Sequence, residues 1–387
     1  MILKKTQILR ERICDTSSTN NSPIKFCVQN TNYFLLITFL NLQINSTNKN
    51  PQLKGNMKLF DKKIIYIIDD LYNSNFIMEQ FTNALSAIGN TPLIQLSKVV
   101  PSDSANVWIK LEYVNPTGSY KDRMALAMIE RAEVRGDLRP GMTVVEYTGG
   151  STGSSLAFIC AVKGYEFHVI SSDAFSKEKL DTMKAFGAKL EIINSSTGKI
   201  SSSLIQKMIK RAQKLALRDD YFFTDQLNNI DIIKGFEMMG NEIQKQMDNP
   251  IDAFCCSVGT AGALMGVSNI LLQSNSNVKI VVLEPDTAAY YSKGEKDGEH
   301  HVEGVGLGFE LPLLNSNNYD EARGINEEES RNMARLLAQE EGIFAGTSTG
   351  LNVVGALQLA REIGRGKNVV TLACDSGLKY LAGDLYL

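Results

Sequence analysis

Lys121 lies in the stretch Asn115-Pro-Thr-Gly-Ser-Tyr-Lys-Asp-Arg123, whose residue types could make an amine reactive. Pro116 and Gly118 favour a turn, and Ser119 is a good N-cap for a helix holding Lys121 in its first turn. The helix dipole opposes a cation there by roughly 0.3–1 kcal/mol, which lowers the pKa and frees the amine as a nucleophile. Taken alone, the stretch reads first as a solvated surface lysine beside Asp122 and Arg123. Two glycine-rich loops add to it. Glu146-Tyr-Thr-Gly-Gly-Ser-Thr-Gly153 follows an apolar run and opens a helical pattern. A plain turn needs one or two glycines; three among hydroxyl residues leave N–H and O–H groups open to a carboxylate or phosphate. Ser257-Val-Gly-Thr-Ala-Gly-Ala263 offers the same physics. No lysine follows it as in a Walker loop, and it is not GxGxxG, so a single phosphate monoester suits it. A reactive lysine and a phosphate cradle on one chain suggest pyridoxal phosphate, whose aldehyde a lysine holds as a Schiff base.

The elements that must position these loops alternate between strands and helices. Apolar, β-branched runs predict buried strands at Val107–Leu111, Thr143–Tyr147, Phe167–Ser171, Leu190–Ile193, Ala253–Val258, Lys279–Leu283 and Asn368–Ala373. Helical periodicity covers Ser151–Lys163, Lys177–Phe186, Ser203–Leu217, Ile232–Gln246, Leu264–Leu272, Glu327–Glu341 and Leu351–Ile363. The pattern is an α/β architecture of parallel strands covered by helices, with ligands expected beyond the carboxyl ends of strands.

The 387 residues carry 40 Lys+Arg against 43 Asp+Glu, a formal charge of −3 that gives no general reason to expect nucleic acid. The composition excludes collagen-like, cysteine-scaffold and wholly disordered chains. It also breaks near residue 77. Residues 1–77 hold no Ala, one Gly and eleven Asn, with a net charge of +5, against −8 for the remainder. The apolar run Tyr33–Leu40 is too short for a membrane span, which takes about 20 residues. Translation of an A/T-rich upstream stretch accounts for this composition, and Met57 and Met78 are plausible starts. Residues 1–77 are expected to be dispensable and to contribute no catalytic residue. Cys160, Cys255, Cys256 and Cys374 sit in apolar elements and read as buried thiols, which fits a reducing cytoplasm. With three His in the chain, no metal site is spelled out. Trp108 and the methionines at 124–128 and 238–239 read as core.

Further motifs stand in a specific order: Ile88-Gly-Asn-Thr-Pro-Leu93, Thr224-Asp-Gln-Leu-Asn-Asn229, Gly304-Val-Gly306, Gly346-Thr-Ser-Thr-Gly350 and Asp375-Ser-Gly377. Together with the three stretches above, they make the chain resemble the cysteine synthase / cystathionine β-synthase family of fold-type II pyridoxal-phosphate enzymes, from about Leu85 to Tyr386. The resemblance implies a two-lobed, tryptophan synthase β-like α/β fold with parallel sheets flanked by helices. Its smaller lobe would span about 118–230 and its larger lobe about 80–117 plus 231–387. It places the Schiff-base lysine at Lys121 and the substrate carboxylate on Thr148, Gly149, Thr152 and Gln226. The cofactor phosphate falls on Gly259, Thr260, Ala261, Gly262 and Ala263, and the pyridine nitrogen on Ser376. His300 matches a family histidine, although a solvated loop role is expected of it. The implied reaction is β-replacement on an O-activated serine through an aminoacrylate to form cysteine, with a thiol or sulfide as donor, by a homodimer.

Two departures qualify the match. The family's Thr-Ser-Gly-Asn-Thr-Gly loop is here Thr148-Gly-Gly-Ser-Thr-Gly153. Ser151 thus stands where the family has an asparagine at the cofactor's phenolic oxygen, and Gly149 replaces a substrate-binding serine. Ala261 and Ala263 stand where Gly and Thr are usual. The alternatives are another β-substitution or elimination, of cystathionine synthase, diamino-acid synthase or dehydratase type, and an inactive cofactor-binding partner protein.

Overall fold

The computed structural model describes residues 82–195, 198, 202–295 and 298–387. The reading of residues 1–77, with Cys14 and Cys27, lies outside this range. A six-stranded sheet runs β1 (Leu93–Gln95), β2 (Asn106–Leu111), β10 (Asn368–Ala373), β7 (Ala253–Ser257), β8 (Lys279–Pro285) and β9 (Glu321–Ile325). Only β1 is antiparallel to its neighbour. A four-stranded parallel sheet runs β5 (Lys189–Ile192), β4 (Glu166–Ser171), β3 (Thr143–Tyr147) and β6 (Tyr221–Phe223). Every residue of β7 and β10 is buried, as strands covered on both faces require.

The long apolar runs became strands within two residues of their expected limits. The three strands absent from the sequence reading, β1, β6 and β9, are all at sheet edges. Their residues are mostly half-buried, so they carry no continuous apolar run.

The main helices are α1 (Lys121–Arg135), α2 (Ser151–Lys163), α3 (Lys177–Ala185), α4 (Ser202–Ala216), α5 (Asp231–Gln246), α6 (Gly262–Ser274), α7 (Glu327–Leu336) and α8 (Thr347–Ile363). The helix expected over Glu327–Glu341 stops at Leu336 and continues as a π-helical turn, closed by Gly342 in the left-handed region. α8 starts four residues before its expected Leu351, because Thr347-Ser-Thr-Gly350 shows no apolar periodicity although all four residues are buried. Met124, Met128 and Met239 are core, but Met238 is exposed; it lies on the outer face of α5, one residue from the buried Met239. Trp108 is half-buried, and its indole N–H donates to Asn368 Oδ1 at 3.1 Å.

The opening motif and the Lys121 helix meet in a buried ionic cluster. Arg123 Nε donates to Glu112 Oε2 and its Nη2 to Glu112 Oε1, at 2.7 and 2.9 Å. The same guanidinium donates to both oxygens of Glu242 on α5 at 2.7 Å. Lys110 Nζ lies 2.8 Å from Glu242 Oε2 and donates to Thr91 O. Thr91 Oγ1 donates to Glu112, and Asn90 N–H to Glu242. Asn115 donates to Glu112 and accepts from Gly89 N–H. Burial alone would raise the Glu242 pKa, but the hydrogen bonds and charges of Arg123 and Lys110 outweigh it and hold it at about 2. A depressed folded pKa means that this stabilisation is complete above the unfolded value near 4.5 and is lost as pH falls toward 2.

Arg123→Met would leave Glu112, fully buried, and Glu242 without their shared cation. The expected cost is about 3–5 kcal/mol, read as a lower urea midpoint at unchanged slope. A loss below about 1 kcal/mol would show that the cluster does not hold the fold together.

Candidate active site

Four loops converge at the carboxyl ends of β2, β3, β7 and β10. Lys121 is the first residue of α1. The expected cap shifts by one residue: the N-cap is Tyr120, while Ser119 Oγ still accepts the Lys121 N–H at 3.2 Å. The turn is laced to the end of β10 by Tyr120 N–H to Cys374 O and Ser376 N–H to Gly118 O, both 3.0 Å. Thr117 donates twice to Asp122, closing the turn from the other side.

Lys121 is buried, which overturns the solvated-lysine reading. Its Nζ lies 4.4 Å from the Tyr120 ring centroid and makes no hydrogen bond among the described residues. Burial lowers its pKa to about 8, opposed by nearby Cys374, Asp375 and Cys256. The cause is thus desolvation, where the sequence pointed to the helix dipole.

β3 delivers the second loop. Thr148 N–H bonds Ile170 O on β4, and Thr148 Oγ1 accepts the Gly150 N–H. α2 starts at Ser151 without a side-chain cap, so its first N–H groups are open to an anion. Thr152 Oγ1 donates to Gln226 Oε1 at 2.8 Å, and Gln226 Nε2 to Tyr147 O at 3.2 Å. The loop and Gln226, far apart in sequence, therefore form one constellation. Beneath them Glu146 is fully buried; burial pushes its pKa up to about 8, opposed by the hydrogen bonds of Thr224, Gln226 and Tyr147.

Gly149 is enforced by packing. A Cβ there would lie 1.9 Å from the Phe175 ring. The serine of the family's loop cannot stand at this position while Phe175 keeps its place.

The third loop follows β7. Ala261 has φ 65°, in the left-handed region, where a side chain costs roughly 1–2 kcal/mol. α6 starts at Gly262 without a side-chain cap. Gly259 is pressed on Gly304 O, which a Cβ would approach to 2.0 Å, so Gly259 and the Gly304–Gly306 segment meet backbone to backbone. Among the described residues Ser257 Oγ is buried without a partner. Uncapped amides, an unpartnered hydroxyl and a buried amine without a hydrogen bond form a donor set that fits a phosphate-bearing aldehyde.

His300 is not the solvated loop residue the sequence suggested. Its Nε2 lies 2.9 Å from Gly306 O, and its Nδ1 accepts the Val302 N–H at 3.2 Å. It shapes the segment that abuts Gly259.

Several polar residues of the site carry no motif signal. Lys379 Nζ donates to Ser151 Oγ at 3.0 Å, and burial lowers its pKa. Lys179 on α3 reaches over the Tyr380 ring and pairs with Glu303; burial lowers its pKa to about 8. Tyr380 Oη donates to Asp375 Oδ2, while Asp375 Oδ1 is buried without a partner among the described residues. Asp375 acts on all three amines, those of the buried Lys121 and Lys179 and of the half-buried Lys379. Asn352 on α8 accepts the Ser257 N–H and donates to Leu372 O, pinning the ends of β7 and β10 together. Cys160, Cys255, Cys256 and Cys374 are free, buried thiols.

Residues 84–375 match the profile of a family described as "Pyridoxal-phosphate dependent enzyme". A cysteine synthase of Staphylococcus aureus is 40% identical over 306 residues, covering 79% of this chain and 96% of that protein. Cysteine synthase B of Salmonella typhimurium is 36% identical over 304 residues, covering 77% and 94%. Among solved structures, a cysteine synthase from Entamoeba histolytica has a TM-score of 0.75 at 31% identity, covering 80% of this chain and 92% of that one. An O-ureido-L-serine synthase has a TM-score of 0.74 at 33% identity, covering 79% and 95%.

Gly149→Ser should cost about 1–3 kcal/mol by overpacking, measured by thermal unfolding, and Phe175→Ala in the same chain should recover most of it. Full stability of the single variant would show that the ring yields freely. For the apoprotein, the rate of uptake of pyridoxal phosphate, followed by absorbance, should rise through about pH 8, as the Lys121 amine loses its proton. A rise centred near 10.5, the ordinary lysine value, would contradict the desolvated environment.

Proposed function

Because the chain belongs to the pyridoxal-phosphate-dependent enzyme family, we propose that it is a cysteine synthase, replacing the activated hydroxyl of an O-activated serine with a thiol or sulfide. The observation that carries the reading is the convergence of a buried, unbonded Lys121 amine with two uncapped helix N-termini.

Bound pyridoxal phosphate supplies an electron sink for charge developing at the substrate Cα. The residues divide the remaining tasks. Gly259, Thr260, Ala261, Gly262 and Ala263 hold the phosphate on the N-terminus of α6. Lys121 would hold the aldehyde, and its free amine would take the Cα proton; an amine with a pKa near 8 suits a base at neutral pH. Thr148, Gly149, Thr152 and Gln226 bind the substrate carboxylate. Ser151, to which Lys379 donates, would face the phenolic oxygen. Ser376 would meet the pyridine nitrogen; a neutral hydroxyl does not enforce its protonation, which suits β-replacement better than transamination. The four-stranded sheet and its helices act as the smaller lobe, closing over a bound carboxylate. We further assign a homodimer in the cytoplasm, in keeping with four free buried thiols. Among the described residues no helix is long and apolar enough to cross a membrane.

A related β-substitution is the second reading. It rests on Gly149 and Phe175, which remove a hydroxyl from the carboxylate loop, and on the likeness to an O-ureido-L-serine synthase.

The purified holoprotein should form cysteine from O-acetylserine and sulfide. O-phosphoserine and serine, each with sulfide, thiosulfate or homocysteine, separate the second reading. Lys121→Ala should abolish both turnover and the absorbance of protein-bound pyridoxal phosphate. A protein that turns over none of these pairs is not a cysteine synthase.

A further inference from the structure

We propose that Glu146 is a positioning residue for the substrate carboxylate, holding Thr224–Gln226 in register with the Thr148–Thr152 loop. The inference rests on the carboxylate site assigned above. Glu146 is the penultimate residue of β3 and is fully buried. Three donors converge on its carboxyl group. Oε1 accepts the Tyr147 N–H at 2.9 Å. Oε2 accepts the Thr224 hydroxyl at 2.6 Å and the Gln226 N–H at 3.0 Å. One side chain thus grips the strand that launches the first carboxylate-binding segment and both ends of the Thr224–Gln226 turn that carries the second.

That turn needs holding. Asp225, between the two gripped residues, has φ 46°, a left-handed conformation that a residue with a side chain adopts at a cost. The two bonds to Oε2 flank it. Asn228 Nδ2 adds a local brace by donating to both Asp225 oxygens, but that brace makes no contact with β3. β6 pairs with β3 only up to Phe223–Val145, so beyond the last ladder pair the turn is tied to β3 by Thr224 N–H to Val145 O and by Glu146.

The consequence falls on Gln226. Its main chain is fixed by Glu146, and its side chain then reaches Tyr147 O and Thr152 Oγ1. Releasing the main chain lets the amide drift from the loop, so the carboxylate loses one of its two walls. The residues assigned to the phosphate follow a different strand, β7, and are untouched.

Glu146→Gln separates this role from simple filling. The amide keeps the shape, but its NH2 end, unlike either carboxyl oxygen, cannot accept a hydrogen bond. Either Tyr147 N–H or the Thr224 and Gln226 donors must therefore face another donor, and at least one bond is lost. With holoenzyme and O-acetylserine, KM should rise about tenfold, as expected when one buried hydrogen bond is lost and its donor left unsatisfied, while kcat stays within about threefold. The absorbance of the bound cofactor should be unchanged. Thr224→Val, which removes one donor and leaves the carboxyl, should raise KM by a smaller factor; it also serves should Glu146→Gln not fold. A fall in kcat at unchanged KM, or altered cofactor absorbance, overturns the proposal. Hydrogen exchange reads the same point without turnover. The Gln226 amide, the Tyr147 amide or both should exchange faster in Glu146→Gln than in wild type, and rates equal to wild type at both overturn it. Wild-type turnover measured alongside reports on the cysteine synthase reading, so an inactive wild type with faster exchange at Gln226 sinks that reading and not this one.

Discussion

Arg123 is the charge on which the rest of the site depends. Its guanidinium is shared by Glu112, after β2, and Glu242, on α5, all three largely removed from water. A buried cation and two buried carboxylates are each costly alone and tolerable only together. The cluster therefore sets the distance between β2, α1 and α5, and through Thr91, Asn90 and Gly89 it captures the opening motif as well. Two residues earlier on the same helix stands Lys121. Side chains two apart point to widely different sides of a helix. With Arg123 locked outward from the reaction site, the start of α1 presents its lysine to the opposite side, against Tyr120 and the end of β10.

The chemistry is then a matter of unfinished hydrogen bonding. α2 and α6 begin without side-chain caps, and Ser257 Oγ and Asp375 Oδ1 are buried without partners among the described residues. Such groups are costly in a finished core and understandable where a ligand completes them. Three amines, two of buried lysines and one of the half-buried Lys379, share the field of Asp375, and loss of water depresses the pKa of each. Beside this, Gly149 and Phe175 form a matched pair: the ring occupies the room a Cβ would need. The departure of loop 148–153 from the family's pattern is thus built into the packing of a second loop, which gives it a bearing on substrate choice.

Most of the framework was legible in the chain. Strands buried on both faces announce themselves as apolar runs, and glycine-rich turns beyond their carboxyl ends mark the candidate site. Edge strands were not legible, because half-buried residues carry neither a continuous run nor a clean alternation. The start of α8 escaped for a related reason: Thr347-Ser-Thr is polar in composition yet buried by its neighbours. His300 was misread as solvated, since nothing in its flanks shows that its ring bonds Gly306 and Val302.

Local order along the chain was enough for the motifs, the lysine and the cofactor class, since each rests on residue types within a few positions of one another. Lys379 beside Ser151, Lys179 over Tyr380, Asn352 between two strand ends and Glu146 under Gln226 came only from the folded chain. Each joins groups between 80 and 228 residues apart. The pKa of Lys121 shows the same division. Its place in the first turn of a helix is a local fact, but the burial that lowers its pKa comes from the folded chain, which brings Cys374 and Asp375, more than 250 residues downstream, beside it.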